Sequence, residues 1–169
     1  MGGHLVEDIE RIMSEAGQAL ADAVEAALPG WVRRSVEQLL IAWLDRTDPE
    51  VLARADLAGQ RAGREVGARI RGLVSSDLDD QTTTPLSIVR QAVSYPADVL
   101  DDAGIPEVER DEFAQRRFPG DRYGLSPASW ADIDPALTDV GLAWGAAKAL
   151  AHRHRHAPPH GPGPDPQVG

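Results

Sequence analysis

Five histidines are the natural starting point for acid–base chemistry, because imidazole titrates near neutral pH without help from its surroundings. Four of them, His152, His154, His156 and His160, lie at or beyond the end of the last predicted helix, and His4 is near the other terminus. A hydrolytic triad needs a base inside the fold, and no serine occupies a Gly-x-Ser-x-Gly elbow. The run His152-Arg153-His154-Arg155-His156 puts His152 and His156 on one helical face at the spacing of a divalent-metal pair. The interleaved arginines repel a cation, so the run reads as a basic helix end that suits the helix dipole, and no metal site is assigned. Asp132, Asp134 and Asp139 resemble the carboxylates that hold magnesium, but Asp134 precedes Pro135, where a carboxylate caps a helix. The chain has no cysteine, which excludes thiolate zinc sites, iron–sulfur clusters, disulfides and cysteine nucleophiles. A phosphate loop is also missing, since Gly59, Gly63 and Gly67 lie inside a helical pattern with no strand before them. No cofactor is implied.

The segment from Arg116 to Pro127 concentrates arginine, aromatic, glycine and proline residues in a connection between helices, where recognition residues often lie. Arg116, Arg117, Asp121, Arg122, Tyr123 and Trp130 are the candidate binding residues. Tyr123 and Trp130 would anchor an interface, and Arg122 would offer a planar donor to a carboxylate or phosphate. The competing explanation is a compact loop whose Phe118, Tyr123 and Leu125 are pinned into the core while Asp121 and Arg122 close a local ion pair.

The elements that must hold this segment are helical. Apolar residues recur every three or four positions from Leu5 to Leu28, and Pro29-Gly30 predicts a stop there. A second helix is predicted from Trp31, with Val32, Val36, Leu39, Leu40, Trp43 and Leu44 on a wide apolar face. Asp48-Pro49-Glu50 is a strong helix start and opens a third helix to about Ser75. Its three glycines, four residues apart, each cost roughly 1 kcal/mol against alanine, so they predict close approach of another helix. Thr84-Pro85 starts a helix that Pro96 kinks or restarts, and a short one ends at Gly104. Pro106 opens another to about Arg117, and the starts at Ser126-Pro127 and Asp134-Pro135 lead to a last helix reaching His154. No β pattern competes, so the fold class is all-α. Three long helices form an N-terminal unit over residues 1–78, shorter helices form a C-terminal unit over 84–156, and residues 157–169 form a disordered tail rich in proline and glycine.

Net charge is −10, from 17 basic and 27 acidic residues, which argues against nucleic acid and anionic membrane as partners. With no apolar run near the ~20 residues of a membrane-spanning helix and no export signal, the expected location is the cytoplasm. Phe118-Pro119-Gly120-Asp121-Arg122-Tyr123-Gly124-Leu125 and Trp144-Gly145-Ala146-Ala147-Lys148-Ala149 resemble segments of actinobacterial proteins of unassigned function. That resemblance spans about residues 84–150 and implies no activity, cofactor or partner. The residues themselves point to a helical protein-interaction module, an adaptor or regulatory subunit, with self-association through the glycine ridge as one route to a homo-oligomer. The alternative is an enzyme or small-ligand binder using carboxylates and Arg122 between the two helical units. A third reading is a metal-handling protein acting through the histidine run.

Overall fold

The computed structural model describes residues 2–77 and 83–157, with side chains from His4 onward. The proline-rich tail and the middle of the polar stretch before Thr84 lie outside the described residues. Among the described residues every regular element is helical: α1 (Gly2–Leu44), α2 (Pro49–Val74), α3 (Pro85–Arg90), α4 (Ser94–Asp102), α5 (Glu112–Arg117), α6 (Trp130–Ile133) and α7 (Leu137–Arg155), with a 3-10 turn at Gln91–Val93.

The N-terminal unit has two long helices, and the predicted break at Pro29-Gly30 is absent. A proline inside a helix removes one hydrogen bond and costs about 3 kcal/mol, yet the apolar stripe continues across it in unbroken steps of four. Leu20, Val24, Leu28, Val32, Val36 and Leu40 are all fully buried, so a break at Pro29 would forfeit half of that stripe. The antiparallel α2 covers the weak point. A Cβ added to Gly59 would lie 2.8 Å from the Pro29 Cα, and one added to Gly63 would lie 2.6 Å from the Glu25 carbonyl oxygen. That oxygen is the one Pro29 leaves without its helical donor, and a Cα–H of Gly63 points at it. The glycine ridge is thus buried against α1 and is closed to a second copy of the chain, which corrects the expected route to self-association.

Capping at two helix starts follows the sequence. Asp48 Oδ1 accepts from the Glu50 and Val51 amides at 3.0 and 3.4 Å, and Thr84 Oγ1 accepts from Ser87 N at 3.2 Å. The helix expected from Pro106 does not form until Glu112, where Asp111 Oδ1 caps Ala114 N at 2.7 Å. Residues before it are drawn into other bonds: Ile105 O accepts from the Tyr123 hydroxyl, and Val108 N donates to Arg122 O.

One hydrophobic core runs through both halves of the chain, from Leu20 and Ile70 in the long pair to Leu100, Ile133 and Trp144 in the shorter helices. Both α4 and α7 pack on α1. At Gly17 three helices converge, since an added Cβ would meet Val74 at 2.8 Å and the Trp144 indole at 3.4 Å. Charges brace the long pair from outside through Arg33–Asp56 at 2.6 Å and Arg71–Asp22 at 2.7 Å.

Candidate functional site

The connection between α5 and α6 is held by hydrogen bonds within itself and to the segments around it. Asp121 is buried, and its two carboxylate oxygens accept from Leu125 N at 2.6 Å and Ser126 N at 2.8 Å. Tyr123 is buried too, its hydroxyl donating to Ile105 O at 2.8 Å. Two arginines that the sequence did not single out tie the loop down. Arg90 donates to Pro127 O at 2.9 Å and Ala128 O at 3.0 Å, and Arg110 donates to Phe118 O at 2.6 Å. A guanidinium with several donors in one plane suits adjacent loop carbonyls, which otherwise have no helical partner.

Burial and bonding sort the six candidate residues into two groups. Asp121 and Tyr123 point inward, and Trp130 lies half-buried on α7, where a Cβ added to Gly141 would fall 2.5 Å from its indole nitrogen. Arg122 faces Asp98, Asp101 and Glu107 at 3.3, 3.6 and 3.8 Å, not Asp121. Its guanidinium carbon also lies 5.9 Å from the Tyr123 ring centroid. Arg116 and Arg117 project into solvent. Arg117 stacks over two rings, 5.8 Å from that of Phe113 and 5.4 Å from that of Phe118. Phe113 is 62% exposed and carries no signal in the sequence, because two adjacent apolar residues in a six-residue helix make no periodicity. Beside Phe118 opens a 290 Å³ cavity lined by Arg90, Val93, Asp121 and Ser126. A second of 370 Å³ lies between Trp31 and Gln38 of α1 and the loop at Leu125. Arg122 lines neither.

Both tyrosines of the chain are held in the neutral form. Burial, reinforced by a hydrogen bond to Glu65, pushes the Tyr95 phenol up to about 12. Burial also raises Tyr123, with the Asp101 charge adding to it and Arg122 opposing it. Because both values rise on folding, their contribution to stability is complete below pH ~10 and fades as pH climbs through the folded values. Absorbance at 295 nm is expected to show both phenols ionising above the ordinary 10. A rise centred near 10 with helicity intact would contradict the burial of these rings.

The remaining candidates resolve into local structure. Asp132 Oδ2 accepts from Ala128 N and Ser129 N at 2.8 and 3.1 Å, and Asp134 Oδ1 accepts from Ala136 N at 2.9 Å, so both carboxylates serve helix starts. The His152 and His156 rings have centroids 4.5 Å apart on α7 and its C-terminal turn. Among the described residues no group of three or more histidine or carboxylate side chains is placed to hold a metal ion. No described helix is long and apolar enough to cross a membrane. No family model, curated protein or solved structure matches the chain.

Proposed function

We propose that the protein is a helical protein-interaction module, an adaptor or regulatory subunit, that recognises its partner through α5 and the residues leading into the loop. The observation that carries this reading is that α5 buries none of its residues yet displays Phe113, 62% exposed, with Arg117 stacked on it. Six residues of isolated helix are not stable in water, so this one persists through its Asp111 cap and the pinned loop behind it. Aromatic and arginine side chains are the commonest anchors of protein interfaces, and a stacked pair loses little side-chain freedom when a partner arrives. Arg116 lies on the same turn, and the cavity beside Phe118 offers a place for an apolar group of the partner. The ligand-binding alternative has no comparable support, because Arg122 is neutralised by three carboxylates and lines neither loop cavity.

Affinity purification from the source organism with mass spectrometry tests this, comparing the intact chain with Phe113→Ala and Arg117→Ala. Both variants should melt normally, since exposed positions contribute within about 0.5 kcal/mol. Each should weaken the captured partner by about 2 kcal/mol, roughly thirtyfold. An unaltered set of partners at normal stability would reject α5 as the recognition surface.

A further inference from the structure

Helix α7 carries a second apolar face that none of the described residues covers. Its inner side, with Leu137, Trp144 and Ala147, is buried, and α7 packs on α1. On the opposite side Leu142 is 67% exposed and Leu150 37%, with Ala143, Ala146 and Ala149 exposed between them. At 100° per residue these five, together with Asp139 and Arg153, fall within an arc of about 120°. A helix that is apolar on both sides is normally covered on both.

The order of residues along this face identifies the cover. Counted outward from Ala146, Ala143 is matched by Ala149, Leu142 by Leu150, and Asp139 by Arg153. A two-fold axis through Ala146 therefore sets leucine beside leucine, alanine beside alanine, and each copy's aspartate beside the other's arginine. An isologous interface needs this property, that residue i meets j while j meets i. Asp139 and Arg153 are exposed, and neither has an ion-pair partner among the described residues. The alanines at the centre let the two helix axes approach closely.

We infer that α7 is a homodimerisation surface, on which a second copy of the chain packs its own α7 antiparallel, centred on Ala146 and registered by two Asp139–Arg153 pairs. The inference is independent of the α5 surface, with which it shares no residue. A contact of one helix a side is at the small end of specific interfaces, so the dimer is reversible and depends on concentration.

Sedimentation velocity of the full chain across a concentration series tests it. The intact protein should pass from monomer to dimer, and added salt should weaken the dimer. Arg153→Asp and Asp139→Arg should each weaken dimerisation by about tenfold or more, because like charges then face each other twice. The double variant carrying both changes should restore it, since two-fold symmetry re-forms both pairs with signs exchanged. Leu142→Glu should abolish the dimer without lowering helicity, and it decides the matter even if Asp139→Arg disturbs the start of α7. A monomer at every concentration overturns the inference. So does a dimer indifferent to Leu142→Glu, or one that forms only after residues 157–169 are removed, which would make the tail the cover.

Discussion

Gly63→Ala is expected to lower the melting temperature while Gly72→Ala, on the same helix, raises it. Both changes gain the same intrinsic helix propensity, about 1 kcal/mol. They differ in what the new methyl group meets. At Gly72 there is nothing within 4 Å, so the gain is kept. At Gly63 the methyl would sit 2.6 Å from the Glu25 carbonyl oxygen, a backbone atom of α1 that cannot rotate away. Relief requires moving α2 off α1, at a cost of about 1–3 kcal/mol for overpacking, and it uncovers the carbonyl next to Pro29. The net change for Gly63→Ala is a loss of about 0.5–2 kcal/mol, and Gly63→Leu should exceed ~3 kcal/mol. For a chain of this length each kcal/mol moves the midpoint by about 2–4 °C, so thermal denaturation separates the three variants. Equal stabilisation by alanine at positions 63 and 72 would show that the two long helices do not touch at the ridge.

The same contact explains where sequence reading succeeds and where it fails. Asp48-Pro49 and Thr84-Pro85 are legible as helix starts because a cap and an N1 proline act within one turn. The two faces of α2 and its close-packed glycines are legible because periodicity is a property of one element. Pro29-Gly30 misleads because its local preference is outweighed by a partner 34 residues away at Gly63, which no window around Pro29 contains. One local signal does point the right way, the steps of four from Leu20 to Leu40 that keep their phase across the proline. Pro106 misleads for a related reason, since the residues on either side of it, Ile105 and Val108, are held by Tyr123 and Arg122 of the loop. The acidic residues around it form a cage for Arg122, although in charge order the arginines of α2 are equally good counter-charges. Arg71 of α2 instead pairs with Asp22 and Glu25 on α1, a choice made by helix packing and invisible in the sequence. Composition makes the site's aromatic and arginine content visible, but only burial tells Tyr123, which is core, from Phe113, which is surface.

Among the polar groups of the candidate residues, the Asp121 carboxylate should be the one whose loss costs the most stability, and the Arg122 guanidinium should cost little. Asp121 is 7% exposed and satisfies two amides, Leu125 N and Ser126 N. Alanine there leaves two part-buried donors unpaired in a tight turn, at roughly 1–2 kcal/mol each, so a loss of about 2–4 kcal/mol is expected. Asparagine keeps one acceptor but turns an NH₂ group toward a backbone N–H, and should fall between alanine and wild type. Tyr123→Phe removes one hydrogen bond, leaves the Ile105 carbonyl without that donor, and should cost about 1 kcal/mol. Arg122→Ala breaks three ion pairs, but its partners are mostly exposed and such pairs contribute about 0–1 kcal/mol. The order Asp121→Ala, Tyr123→Phe, Arg122→Ala therefore follows from burial and not from charge. It also reaches the proposed recognition surface, because the turn that Asp121 closes follows Phe118, the ring on which Arg117 stacks. Asp121→Ala should lower the melting temperature and weaken partner capture together, whereas Phe113→Ala should weaken capture alone. Urea denaturation of the three variants gives the ranking directly, and an Arg122→Ala loss larger than that of Asp121→Ala would mean that the acidic cage, not the buried carboxylate, holds the loop in place.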